Sequence, residues 1–178
     1  MNIQAAHKSA MMTFNTRYRT PAQLQIVAAK EADCDAVVAL FGALHSYNAS
    51  LDSHFVLAAG WESLLREQFL ATCADSDKLW LLVKDSDQPI GLLIAGVHTD
   101  SPLFKYRRWV EVEALYVADS HRGSGIAHGL LKRAYEWAEV QGLSRVQLYV
   151  TASNIRAQSV YTEQGFTVSQ AIMRKSLA

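Results

Sequence analysis

The chain has 178 residues, of which 50% are hydrophobic and 19% charged. That composition excludes a disordered or fibrous chain, and the length suits one domain with a core that needs no disulfide or metal staple. Lys plus Arg and Asp plus Glu both number 17; this balance argues against a broad electrostatic footprint for nucleic acid, though a local patch survives it.

The two cysteines, Cys34 and Cys73, are far apart and form no CxxC. They read as reduced thiols of a cytoplasmic protein. No apolar run approaches the ~18 residues of a membrane span. The start of the chain has no apolar h-region, so no secretory signal is expected. HExxH and paired Cys/His spacings are missing, so no metal site is expected. Lys8, Arg17, Arg19 and Lys30 precede the first acidic residue, Glu31. An acid-poor start of this kind is shared with transit peptides. Residues 1–20 are read instead as a frayed tail, and 21–178 as the domain.

Leu24 to Ala29 reads as a short strand. Val37, Leu40, Phe41 and Leu44 then recur at helical spacing, with Asp33 as the N-cap. Trp61, Leu64, Leu65 and Phe69 predict a second helix. Leu79 to Lys84 and Pro89 to His98 predict two strands joined at the polar turn Asp85-Ser86-Asp87-Gln88. Gly91 and Gly96 in the second of these mark a bulge or a close backbone approach.

Trp109 to Val117 predicts the next strand. Strict alternation puts Val110, Val112, Ala114 and Tyr116 on one face, and Glu111, Glu113, Leu115 and Val117 on the other. After a polar loop, Ile126, Leu130, Leu131, Ala134, Trp137 and Ala138 mark an amphipathic helix that Gly142 caps. Val146 to Val150 is read as a strand, Asn154 to Gln164 as a helix and Phe166 to Arg174 as a last strand. The expected class is α/β, in the order β-α-α-β-β-β-α-β-α-β.

Chemistry concentrates where the Trp109–Val117 strand passes through Ala118-Asp119-Ser120-His121-Arg122-Gly123-Ser124-Gly125 into a helix. Unpaired N–H groups and the helix dipole there suit an anion such as phosphate. The dinucleotide fingerprint GxGxxG/A fails, because its third position falls on His128. Arg122-Gly123-Ser124-Gly125-Ile126-Ala127 matches the Q/R-x-x-G-x-G/A signature of the GCN5-related N-acetyltransferase (GNAT) family. Asn154-Ile155-Arg156-Ala157-Gln158-Ser159-Val160-Tyr161-Thr162-Glu163-Gln164-Gly165-Phe166 resembles its second signature, N-x-x-A-x-x-x-Y-x-x-x-G-F.

The resemblance spans roughly residues 24 to 174. It implies a single-domain mixed sheet splayed between its fourth and fifth strands, and an acyltransferase that uses acetyl-coenzyme A. It also implies that main-chain groups of Leu115, Tyr116 and Val117 pair with the pantetheine arm. Amides from Arg122 through Gly123, Ser124, Gly125 and Ile126 to Ala127 would cradle the pyrophosphate. Asn154 would reach the coenzyme arm and Tyr161 would stand near the thioester sulfur. Asn154, Ala157 and Tyr161 fall on one helical face by spacing alone.

Glu113 is the expected general base, with Glu111 and water as rivals, and Tyr161 the expected acid. His45, Tyr47 and Glu111 are expected near the acceptor. His121 is read as packing the loop. The expected acceptor is a primary amine, a small cationic metabolite first. A protein N-terminus or lysine, and a non-catalytic coenzyme A-binding domain, are the alternatives. Nucleic acid and membrane partners are not expected. Trp80, Trp109 and Trp137 suggest apolar surface for a homodimer.

Overall fold

A computed structural model of the chain describes residues 24–177; the expected tail, and the domain start near Pro21, lie outside them. The elements are β1 (Leu24–Ala28), α1 (Cys34–Leu51), α2 (Trp61–Thr72), β2 (Lys78–Asp85), β3 (Gln88–Thr99), β4 (Arg108–Val117), α3 (Ile126–Val140), β5 (Val146–Leu148) and α4 (Ile155–Glu163). The sheet runs β1-β2-β3-β4-β5. Its first three pairings are antiparallel and β4–β5 is parallel. A parallel neighbour needs a crossover, and α3 supplies it.

Strands β2 and β3 read as nearly continuous apolar runs because helices cover both sheet faces. Trp80, Leu82, Leu92, Ile94 and Ala114 pack under α1 and α2 with Val37, Leu65 and Phe69. Leu81, Val83, Leu93, Ala95, Val110 and Val112 pack under α3 with Leu130, Leu131 and Ala134. Helix α2 uses Leu65 and Phe69 for this, whereas Leu64 is 66% exposed. Neighbouring residues on a helix point about 100° apart, so Leu64 and Leu65 cannot both face the sheet.

Asp33 does stand at the N-cap of α1, but its side chain makes no capping hydrogen bond there. Its carboxylate instead accepts from the Lys30 N–H at 2.9 Å and from Lys84 Nζ at 2.8 Å, tying the start of α1 to β2.

Strict alternation along β4 fails. Ile94 pairs with Ala114 but Ala95 pairs with Val112, so Glu113 is an extra residue, a β-bulge. Val110 and Val112 therefore share the α3 side with Leu115 and Val117, while Ala114 and Tyr116 face α1 and α2. A second bulge in β3, at Ile90, lies opposite the Val83/Lys84 step. Gly91 sits beside it, where a Cβ would lie 3.0 Å from Val83 and 3.2 Å from the Tyr116 carbonyl.

Two further expectations are corrected. Phe166 to Arg174 does not form a strand. Past Phe166 the described chain makes no backbone–backbone hydrogen bond, and Val168 and Met173 are 91% and 93% exposed. The adjacent edge, β5, is only three residues long and offers little ladder to extend. Trp80 and Trp109 supply no dimer surface, because both are buried. Trp80 meets Phe69 edge-on and Trp109 lies between His98 and Arg145.

Leu130 has no exposed surface. Leu130→Ala is expected to cost ~2–5 kcal/mol in urea unfolding, and Leu64→Ala under ~0.5 kcal/mol. Asp33 supplies a pH test. Burial alone would raise its carboxyl pKa, but hydrogen bonds from Lys84 and from the Lys30 backbone outweigh this and hold it below the usual value. A depressed folded-state pKa adds stability above the unfolded value of ~3.9 and loses it as pH falls through the folded one. Asp33→Asn should therefore be less stable than wild type at neutral pH, and the gap should close as pH falls through the lowered folded-state value. Urea midpoints across a pH series measure this.

Candidate active site

From the end of β4 the chain makes a 3-10 turn, Asp119–His121, and reaches α3 through Arg122 to Gly125. Gly123 and Gly125 have φ of 77° and 81°, a left-handed backbone that a side chain would strain. A Cβ at either would meet nothing within 4 Å, so the loop faces open space. Among the described residues, the N–H groups of Gly125, Ile126, Ala127 and His128 donate to no protein acceptor. Four convergent donors at the positive end of a helix suit a phosphate.

Side chains hold this loop in place. Arg122 donates from Nε to the Val117 carbonyl at 3.0 Å and pairs with Asp119 at 2.5 Å. Its guanidinium lies 5.1 Å from the Tyr47 ring centre. Arg122 therefore places positive charge beside the loop while two of its nitrogens brace it. Tyr47 backs this arginine from α1. His121 packs as anticipated: its Nε2 is 3.2 Å from Asp85 and its Nδ1 2.8 Å from the Ser120 hydroxyl.

Strands β4 and β5 pair only over Val110–Val112 and Val146–Leu148. Beyond Val112 they part, and the β5-facing main chain of β4 has no strand partner from Glu113 on. Leu115 and Tyr116 lie along this open edge. Val117 is partly spent, since its carbonyl takes the Arg122 bond.

The bulge decides which residues share a face with the acids: Glu111 and Glu113 stay opposite Val110 and Val112, and Ala114 and Tyr116 come over to their side. Glu111 pairs with Gly96, and so does Lys78 from the other side of β3. Paired residues share a face, which here is that of Trp80, Leu82 and Ala114, under α1 and α2. Glu113 joins it, because a Cβ on Gly96 would lie 2.9 Å from Glu113 Oε1. Glu111 and Glu113 thus share a face with each other but not with Leu115 and Val117. Lys78 Nζ donates to both Glu113 oxygens, at 2.5 and 2.6 Å. Glu111 accepts from Trp109 Nε1 at 3.4 Å. Lys78 escaped the reading of the sequence; the signal that could have found it was Gly96, which marked a close approach without saying to what.

Helix α4 carries the second group. Asn154 is its N-cap, with Oδ1 accepting from Ala157 N–H at 3.1 Å, which leaves its amide N–H₂ as the free donor. Tyr161 packs against the α3-side core and meets Phe166 edge-on at 5.8 Å. Burial, with the Tyr135 hydroxyl adding to it, pushes the Tyr161 phenol up to about 12. It stays protonated at neutral pH and can donate.

His45 lines a cleft of about 200 Å³ with Gly42, Ser46, Val56 and Trp61, between α1 and the segment leading to α2. Its Nδ1 is buried without a partner, and burial lowers its pKa, so the ring is neutral at pH 7. A carboxylate that can take a proton, a neutral phenol that can give one and an anion loop suit acyl transfer from a phosphate-bearing carrier.

The sequence model described as the acetyltransferase (GNAT) family matches residues 29–166. A mycothiol acetyltransferase of Beutenbergia cavernae is 33% identical over 96 residues, 54% of this chain and 30% of that protein. A streptothricin acetyltransferase of Escherichia coli is 35% identical over 57 residues, 32% of this chain and 33% of that one. The chain thus spans about a third of the length of these curated relatives. Among solved structures, the aminoglycoside 6'-N-acetyltransferase AAC(6')-IG of Acinetobacter haemolyticus superposes with a TM-score of 0.68 at 20% identity, covering 86% of this chain and 98% of that one. A related enzyme, AAC(6')-Iy, bound to a coenzyme A bisubstrate analogue, gives 0.70 at 16% identity over 88% and 99%. With both signatures in place at the loop before α3 and along α4, and the sheet parting after Val112, the chain belongs to the GNAT acetyltransferase family.

Proposed function

We propose that the chain is an N-acetyltransferase that moves the acetyl group of acetyl-coenzyme A directly onto a small primary amine, within a ternary complex. The observation that carries this reading is Glu113, the bulge residue at the point where β4 leaves β5, with its carboxylate on the α1/α2 face. Acetyl-coenzyme A supplies an acetyl group already activated as a thioester. The open N–H groups of Gly125 to His128 take its pyrophosphate, and the free β4 edge at Leu115 and Tyr116 pairs with the amides of its arm as an added strand would. The Asn154 amide N–H₂ donates to that arm.

The acceptor arrives as an ammonium, which at neutral pH lacks a free electron pair. Glu113 draws it in and accepts its proton, and Glu111 adds negative charge to the same face. A backbone N–H near Leu115 stabilises the oxyanion. Tyr161, neutral in its apolar setting, gives a proton to the departing thiolate. The cleft at His45 takes the remainder of the acceptor beside a neutral imidazole. A small-molecule acceptor is supported by relatives named for streptothricin, mycothiol and aminoglycosides, and a cationic one by the two carboxylates.

The cofactor site is tested by Gly125→Asp, which places a carboxylate and a strained Cβ at the anion loop. Acetyl-coenzyme A affinity should fall at least ~10-fold, by more than ~1.4 kcal/mol, in calorimetry; unchanged affinity moves the site elsewhere. Rates against pH, read by thiol release on one good amine, separate the two proton carriers. Glu113→Gln should lose most near neutral pH and recover as the amine deprotonates unaided. Tyr161→Phe should lose roughly 10²-fold in kcat with coenzyme affinity retained, and without recovery at high pH. Equal, pH-independent losses would make both residues positioning groups.

A further inference from the structure

Lys78 is itself a primary amine, and its Nζ holds both oxygens of the proposed base at 2.5 and 2.6 Å. Its side chain is only 15% exposed. The pair sits over Gly96, where an added Cβ would lie 2.9 Å from Glu113 Oε1 and 3.2 Å from Lys78 Nζ. The glycine gives the two side chains room to meet across β3. No other lysine pairs with a carboxylate of β4 among the described residues. Lys78 thus holds the seat that the reading above gives to the ammonium of the acceptor.

We infer that Lys78 is an acetylation site of this protein, modified in cis by its own bound acetyl-coenzyme A; this rests on the proposed role of Glu113. Glu113 takes one proton from the Lys78 ammonium and passes it to solvent. Nζ then forms a bond to the acetyl carbonyl carbon and the carbon–sulfur bond breaks. The nitrogen gives up a second proton as the coenzyme thiolate gains one. One amide, one free thiol and one released proton result. Acetylation removes the charge of Lys78, ends the ion pair and leaves Glu113 open to an external amine.

Chemical acetylation of a protein works in the opposite direction, since it favours exposed amines that are free to deprotonate. Lys30, Lys105 and Lys132 are exposed. Lys84 is an internal control: it too is partly buried and paired to a carboxylate, Asp33 at 2.8 Å, but away from the splayed edge.

The experiment incubates the full chain with acetyl-coenzyme A at neutral pH. It follows intact mass and acetylated peptides over time at several protein concentrations, with thiol release from a panel of small amines in parallel. The expected result is one acetyl group per chain, on Lys78, with a rate constant independent of protein concentration. Glu113→Gln should slow it at least ~10-fold. Lys78→Arg, which keeps a cation beside Glu113, should abolish the mass shift. Gly96→Ala keeps both groups but crowds them, and should slow it as well. Acetyl groups spread over Lys30, Lys84, Lys105 and Lys132 at rates like that of Lys78 would overturn the inference, as would a rate that rises with protein concentration. Unmodified Lys78 in a protein that turns over small amines would overturn it and leave the proposed function standing. Unmodified Lys78 with no thiol release on any amine would overturn both.

Discussion

One extra residue in β4 governs the geometry of this protein. A strand buried on both faces must keep its apolar side chains in step with two helical layers. The bulge at Glu113 breaks that step once. Before it, Val110 and Val112 face α3; after it, Leu115 and Val117 do. The charged residue absorbs the irregularity, so neither core layer is left with a polar group. The pairing to β5 ends at the same point, one residue before Glu113. The bulge and the parting of the strands thus coincide.

Electrostatics divides the site into two regions. At the C-terminal end of β4, unpaired N–H groups and the start of α3 make a region for negative charge, and Arg122 braces it from Val117, Asp119 and Tyr47. Midway along β4, on the α1/α2 face, Glu111 and Glu113 make a region for positive charge, and Lys78 fills part of it. Negative and positive charge are thus favoured at two separate places along a single strand. Tyr161 belongs to neither region. It is held among apolar groups, and that setting keeps its proton on.

Several residues serve as supports. Asn154 caps α4 with its carbonyl oxygen, which sets the start of the helix and hence the position of Tyr161 two turns on. His121 and Asp85 link the loop before α3 to the β2–β3 turn. Asp33 and Lys84 join α1 to the sheet. These links connect surface segments to the core and account for loop positions that apolar packing alone leaves undetermined.

Much of this was legible in the residues. The periods of 2 and 3.6, the Asp85–Gln88 turn and the glycines at 123, 125 and 142 carry local information, because backbone sterics and apolar spacing act over a few residues. The two signatures carried the family. Tertiary structure alone decided the rest. The alternation along β4 has no local signal for a bulge, since Val-Glu-Val-Glu-Ala is a regular strand by period; the register against β3 makes Glu113 the extra residue and exchanges the faces of the residues after it. Lys78 is 35 residues from Glu113, and only the sheet brings them together. Tyr47 could not be assigned to Arg122 before α1 was laid across the end of β4. Phe166 to Arg174 has strand-like composition, but a strand exists only where a neighbour offers its hydrogen bonds, and the short β5 offers few. Local pattern determined most of the elements and which loop carries the two signature glycines; contacts between residues far apart in the chain decided whether a last strand forms and which side chains face one another.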